Sequence, residues 1–172
     1  IISYFLIDSK KSKEKPAKNE NIQNTTVNVT NHINSNSNVP TQNPLVEESH
    51  KSLTRILFID DNHKDYKMVS ILKRYGWTNT KSVKDITDLD DPIVLEAEII
   101  FVDINGVGTT LFQDQGLGLA SALKKKYKHK KIIIYSSETK GDRFHRALRE
   151  VDDCLFKDAE PYQFINLIEN FS

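Results

Sequence analysis

The chain has 172 residues, of which 38% are hydrophobic and 28% charged, enough for one domain with a buried core and an extension. Its 24 basic and 24 acidic side chains cancel, so no net charge draws the protein toward nucleic acid or an anionic membrane. The single cysteine, Cys154, excludes an internal disulfide and a zinc site built on several thiolates, and it fits a cytoplasmic, reducing compartment.

The first residues, IISYFLI, are mostly apolar and are followed by the basic run KKSKEK. The apolar stretch is shorter than the roughly 20 residues that a bilayer-spanning helix needs. The basic flank is nevertheless the one expected on the cytoplasmic side of a membrane helix. Two interpretations stay open. The stretch is either the tail of a membrane anchor that begins upstream of Ile1 and tethers the protein to the inner face of the membrane, or an arbitrary apolar start to a disordered arm.

A polar segment from Asp8 to about Ser49 follows, rich in Asn, Thr, Ser and Lys and without a sustained helical or strand period. Such a segment buries too little apolar surface to offset the entropy lost on ordering. We therefore predict a disordered N-terminal extension and tether over residues 1–52 and a folded domain over residues 53–172.

Apolar runs alternate with amphipathic segments from Arg55 onward. The runs typical of strands are ILFI (56–59), TNTKSV (78–83), EIIFVD (98–103), KIIIYS (131–136) and CLF (154–156). The segments that predict helices are HKDYKMVSILKRYG (63–76), a weak helix that Pro92 starts or interrupts, LGLASALKKKY (117–127), DRFHRALREV (142–151) and PYQFINLIENF (161–171). Alternating strands and helices with apolar strand faces predict an α/β fold, a doubly wound parallel sheet covered by helices on both sides.

Polar and charged side chains stand where four of these strands end. Asp60 and Asp61 end the first strand, Asp103 the third and Ser136 the fourth, and Lys157 follows the fifth. Functional residues of an open parallel sheet collect outside the carboxyl ends of its strands, so we expect these side chains to converge. Three converging carboxylates need a counter-charge, and hard oxygen ligands suit Mg²⁺. The set suits a carboxylate nucleophile that attacks a phosphoryl group, with the metal and the lysine neutralising charge.

The runs RILFIDDN, FVDIN, IIIYSS and LFK resemble the receiver domain of two-component response regulators, over roughly residues 53–172. The resemblance implies a flavodoxin-like five-stranded sheet of order 2-1-3-4-5. It also implies that Asp60 and Asp61 hold Mg²⁺ and that Asp103 accepts phosphate from a sensor histidine kinase or a phosphotransfer protein.

Further site residues follow from the same resemblance. Ser136 would track the phosphoryl group and Lys157 would contact it. Asp103 and the main-chain carbonyl of Asn105 would complete the metal ligands, and the side chains of Asn105 and Glu138 would influence how long the phosphoryl bond survives. We expect phosphorylation to alter the face formed by the fourth helix, the fifth strand and the last helix. Because the chain ends with that helix, output is expected through a downstream protein partner or through whatever precedes Ile1.

Three features depart from the receiver pattern. The loop INGVGTTLFQDQGLG (104–118) is longer than usual and lacks the customary Pro, and Asp158 follows Lys157 where Pro is usual. Cys154 stands where a switch Tyr or Phe is usual, which leaves Tyr135 or Phe156 as alternative reporters.

Two alternatives to a phosphoacceptor stay open. One is a receiver-like interaction module that is not phosphorylated. The other is a Mg²⁺-dependent phosphatase with an aspartate nucleophile, which would need a second Asp where FVDIN has Asn105. The basic run KKKYKHKK (124–131) closes a predicted helix, where the helix dipole favours cations, so we expect no nucleic-acid partner.

Overall fold

The computed structural model describes residues 50–137 and 146–172. The predicted apolar start and most of the predicted tether lie outside the described residues, as do Glu138 and the first part of the predicted fourth helix. Residues 50–53 form a helical turn, and the predicted boundary between residues 52 and 53 stays a prediction.

The described residues form a parallel sheet whose strands lie in the order β2-β1-β3-β4-β5. The strands are β1 (Ile56–Ile59), β2 (Thr80–Val83), β3 (Ile99–Asp103), β4 (Lys131–Ser136) and β5 (Asp153–Phe156). The predicted α/β class and the strand order 2-1-3-4-5 are thus confirmed.

Alternating side chains of the three central strands build one apolar cluster on each face of the sheet. One cluster contains Leu57, Ile59, Ile100, Val102, Ile132 and Ile134. The other contains Ile56, Phe58, Ile99, Phe101, Ile133 and Tyr135. Successive side chains of a strand point to opposite faces, so continuous apolar runs are what a sheet covered on both sides requires.

Five helices accompany the strands within the described part of the chain. They are α1 (Met68–Arg74), α2 (Pro92–Glu96), α3 (Gln115–Lys126), α4 (Ala147–Glu150) and α5 (Pro161–Phe171). Pro92 starts α2 at its first position, where its missing N–H costs nothing, and the Asp91 side chain accepts the Ile93 N–H. None of the helices described has the length and apolar character that crossing a bilayer requires.

Helix α1 begins at Met68, five residues later than the predicted start at His63. The intervening residues form turns instead, because Asp60 Oδ1 accepts the N–H of Asn62 at 2.8 Å and the Asp60 carbonyl accepts the N–H of His63 at 2.9 Å. Local bonds from an Asp side chain compete with helix formation. Because α1 starts later than predicted, an irregular β1–α1 loop lies directly beside Asp60 and Asp61.

The basic run 124–131 lies against acidic side chains of neighbouring segments. Lys124 Nζ is 2.7 Å from Asp152 Oδ2, and Lys126 Nζ is 2.5 Å from Asp90 Oδ2. These pairs offset part of the run's positive charge. The expectation that the run binds no nucleic acid stays a prediction.

Candidate functional site: an acidic pocket at the carboxyl ends of the strands

The carboxyl ends of β1 and β3 bring three acids together. Asp60, Asp61 and Asp103 each offer a carboxylate oxygen, and these oxygens all lie within 4.8 Å of one another. Asp60 is 0% and Asp103 4% exposed, whereas Asp61 faces solvent. Two buried carboxylates this close repel each other unless a positive charge lies near them.

Lys157 supplies that positive charge. Its Nζ lies 2.6 Å from Asp103 Oδ2 and 2.9 Å from Asp60 Oδ2. The main-chain N–H of Lys157 donates to the main-chain carbonyl of Ser136 at 3.1 Å, which continues the β4–β5 pairing by one residue. This pairing directs the Lys157 side chain over the end of the sheet. The structure thus places Lys157 between the two buried acids.

The Asp60 carboxylate accepts hydrogen bonds at both oxygens. Oδ1 accepts from the Asn62 N–H at 2.8 Å, and Oδ2 accepts from the Tyr135 hydroxyl at 2.6 Å as well as from Lys157. Burial by itself would raise the pKa of Asp60, but the bonds from Tyr135, Lys157 and Asn62 outweigh burial and lower that pKa below its usual value. Asp60 is therefore held as a carboxylate.

The pKa of Asp103 is shifted in the opposite direction from that of Asp60. Burial raises the pKa of Asp103 above its usual value, and the hydrogen bond from Lys157 offsets only part of this increase. For Lys157, burial opposes the charge, but the bonds to Asp103 and Asp60 prevail and raise the pKa of the ammonium group. Asp103 also accepts the Ile104 N–H at Oδ1, at 2.8 Å.

Ser136 and Asn105 lie at the same edge of the sheet. Ser136 is the last residue of β4 and is 5% exposed, and Asn105 is an exposed residue two positions after the end of β3. The structure therefore gathers six of the seven predicted site residues at one edge, and the seventh, Glu138, lies outside the described residues. Their roles in phosphoryl transfer and metal binding stay predictions.

Several solved structures share this architecture, although no family model matches the sequence and no curated protein does either. A CheY-like response regulator receiver domain protein from Methanospirillum hungatei matches with a TM-score of 0.55 at 18% identity, over 69% of this chain and 93% of that one. TrrA, a response regulator protein from Thermotoga maritima in complex with Mg²⁺-BeF, matches with a TM-score of 0.55 at 18% identity, over 69% of this chain and 99% of that one. The protein has the fold of a response regulator receiver domain.

A third match shows that this fold also occurs within longer proteins. NtrX from Brucella abortus, in complex with ATP, matches with a TM-score of 0.54 at 20% identity over 69% of this chain. The match covers only 27% of the NtrX chain. At such identities the likeness establishes the receiver fold alone.

The β3–α3 loop (residues 104–114) forms one wall of the acidic pocket. Gly106 has a positive φ of 72°, and a Cβ at this position would collide with the Asp61 carboxylate. The N–H of Gly106 donates to Gln115 Oε1 at 2.8 Å, and the N–H of Gly108 donates to Asp85 Oδ1 at 2.6 Å. Side chains from outside the loop thus hold it beside Asp61.

Gln115, which accepts the Gly106 N–H, has a strained backbone conformation. It is a non-glycine residue with a positive φ of 51°. The sequence showed that this loop is longer than usual, but it did not reveal these contacts. The only local signal was the pair of glycines in NGVG, because glycine favours positive φ. The acceptors lie nine and 23 positions away along the chain.

Replacement of Gln115 by Ala is expected to lower the free energy of unfolding by about 1 kcal/mol, because the Gly106 N–H loses its acceptor. Urea unfolding monitored by circular dichroism measures the change. The matched control is Gln113→Ala, since Gln113 is an exposed residue of the same loop. Equal stability of the two variants would contradict the role of Gln115 in holding the loop.

Proposed function

We propose that this protein is a phosphoacceptor receiver domain of a two-component phosphorelay, in which Asp103 takes up a phosphoryl group in the presence of Mg²⁺. The observation that carries this proposal is the position of Lys157 Nζ, 2.6 Å from Asp103 in a pocket where three carboxylate oxygens lie within 4.8 Å of one another. A cation beside a buried carboxylate can pair with phosphoryl oxygens that become attached to it.

The donor set fits Mg²⁺. Asp60, Asp61, Asp103 and the main-chain carbonyl of Asn105 would hold the ion, and all of these ligands are hard oxygen atoms. When bound, Mg²⁺ would neutralise negative charge on the transferring phosphoryl oxygens. The lowered pKa of Asp60 keeps that carboxylate ionised and ready to bind a cation.

The transfer step forms one bond and breaks one. A carboxylate oxygen of Asp103 attacks the phosphorus of a phosphohistidine on a sensor histidine kinase or a phosphotransfer protein. A P–O bond forms while the P–N bond breaks, and the departing imidazole nitrogen keeps the electron pair. Lys157 shifts from the carboxylates to the new phosphoryl oxygens, and the Ser136 hydroxyl donates to one of them. Water reverses the state by attacking phosphorus, which releases inorganic phosphate and restores the carboxylate.

Exposed aromatic side chains support a protein partner for the output. Phe156 at the end of β5 is 55% exposed, and Tyr162 in the first turn of α5 is 61% exposed. Both belong to the face formed by α4, β5 and α5, which we propose contacts the downstream protein. Cytoplasmic localisation is part of this proposal, whereas both interpretations of the apolar start, a membrane anchor or a disordered arm, stay open.

One alternative has a specific observation in its favour. Lys157 pairs with both buried acids, Asp60 and Asp103, and this pairing would equally stabilise an interaction module that is not phosphorylated. A phosphatase with an aspartate nucleophile is less well supported, since it would need a second acid where Asn105 stands.

Incubation with Mg²⁺ and acetyl phosphate, followed by intact-mass measurement, tests the proposal. We expect an adduct with the mass of one phosphoryl group in the wild type and none in Asp103→Asn. The matched control is Asp158→Asn, which removes an exposed acid next to Lys157 and should keep the adduct. Mg²⁺ binding without an adduct would favour the interaction module instead.

A further inference from the structure

The hydrogen bonds of Asp60 leave it few ways to bind a metal ion. Each carboxylate oxygen has two lone pairs. The two lone pairs of Oδ2 accept from the Tyr135 hydroxyl at 2.6 Å and from Lys157 Nζ at 2.9 Å. Among the described residues, Oδ1 accepts from one donor, the Asn62 N–H, at 2.8 Å. Within the part of the chain that the structure describes, these donors leave Asp60 a lone pair for an ion on Oδ1 and not on Oδ2.

Tyr135 and Lys157 differ in how firmly they hold Oδ2. Lys157 has a flexible side chain that is 18% exposed and is the group expected to move to a phosphoryl group. The Tyr135 ring is 0% exposed, and it packs edge-on against Phe58 and Phe101 at centroid distances of 5.5 and 6.0 Å. The Tyr135 hydroxyl therefore stays in place when Lys157 leaves.

A carboxylate held at both oxygens cannot turn to present the two oxygens equally to one ion. Ca²⁺ takes six to eight oxygen ligands and often binds carboxylates through both oxygens, while Mg²⁺ requires octahedral geometry and keeps several waters. We propose that Tyr135 is a positioning residue that makes this site select Mg²⁺ over Ca²⁺, by restricting Asp60 to binding through Oδ1. This inference rests on the metal site of the proposed function.

The test compares Tyr135→Phe with the wild type, using the full chain and no phosphoryl donor. Isothermal titration gives the dissociation constants for Mg²⁺ and for Ca²⁺ separately. Phe keeps the buried ring but removes the fixed donor from Oδ2 and leaves only the flexible Lys157 there. We therefore expect the preference for Mg²⁺ over Ca²⁺ to fall about tenfold, the lower end of what the loss of a metal ligand's hydrogen-bond partner costs. A merely structural role would weaken the binding of both ions equally and leave the ratio of their dissociation constants unchanged.

Tyr66→Phe is the matched control. The Tyr66 ring also lies near Lys157, with its centroid 5.9 Å from Nζ, but its hydroxyl donates to the Lys157 carbonyl at 3.4 Å. Removal of this hydroxyl leaves Asp60 with all its partners, so the ion preference should match that of the wild type. If Tyr135→Phe is destabilised, the shift of its unfolding midpoint with each ion yields the same ratio.

The outcomes separate this inference from the phosphoacceptor proposal. An unchanged ion preference in Tyr135→Phe, an equal change in Tyr66→Phe, or a wild type that does not prefer Mg²⁺ would each overturn the role of Tyr135, whatever happens at Asp103. A tenfold fall confined to Tyr135→Phe supports that role even if acetyl phosphate leaves no adduct, in which case only the phosphoacceptor function fails.

Discussion

Replacement of Lys157 by Met is expected to lower the free energy of unfolding by about 3 kcal/mol in metal-free solution near neutral pH, because it leaves buried carboxylates without their cation. Asp60 and Asp103, with side chains 1% and 5% exposed, would face each other across the space that Nζ now fills. The same change should prevent stable phosphorylation of Asp103, since the transferred phosphoryl group would lose its paired ammonium.

Urea unfolding in chelator and in excess Mg²⁺ measures this effect. Mg²⁺ should restore part of the lost stability, because it supplies a counter-charge at the same carboxylates. The control is Lys81→Met, which breaks an exposed pair with Glu96 whose side chains are both 58% exposed and should cost less than about 1 kcal/mol. A Lys157→Met variant as stable as this control would contradict the assigned charge balance.

The loss of stability in Lys157→Met is expected to depend on pH. The pKa of Asp103 is already raised by burial, and loss of the neighbouring ammonium raises it further. A carboxyl whose pKa is higher in the folded than in the unfolded state contributes stability below the unfolded pKa, and this contribution is lost as pH rises through the folded pKa. The destabilisation should therefore grow from acidic toward neutral pH.

Replacement of Gly116 by Ala is expected to lower the free energy of unfolding by about 3 kcal/mol, the upper end for overpacking, because the collision is with main chain. A Cβ at Gly116 would overlap the carbonyl oxygen of Asp103 and lie 2.9 Å from that of Ile104. The Gly116 N–H also donates to the Ile104 carbonyl at 3.0 Å, so the helix cannot retreat without breaking this bond. Relief of the overlap must move Asp103, and Mg²⁺ affinity should fall with stability.

Gly118→Ala separates the effect on stability from the effect on the site. Its Cβ would meet the side chain of Phe112, with 2.6 Å to Phe112 Cβ, rather than the main chain of Asp103. It should therefore reduce stability but leave Mg²⁺ binding close to that of the wild type. Urea unfolding and isothermal titration on the two variants make the comparison. Undiminished Mg²⁺ affinity in Gly116→Ala would show that the predicted displacement does not occur.

The sequence by itself determined the α/β class and the edge of the sheet at which polar residues meet. Continuous apolar runs such as ILFI and EIIFVD indicated strands buried on both faces, and Asp60, Asp103 and Lys157 stood where such runs ended. Both conclusions depend on local periodicity and on the shared direction of parallel strands, which neighbouring residues reveal. The strand order came from the resemblance to receiver domains, and the structure has the same order.

Only the tertiary structure decided how the charges of the site are balanced. The Tyr135 hydroxyl donates to an acid 75 positions away, and Lys157 bridges two acids from different strands. The contact of Gln115 with Gly106 likewise depends on one hydrogen bond, and the late start of α1 depends on two. Such contacts depend on side-chain rotamers and loop paths that packing selects, and hydrophobic periodicity carries no information about either.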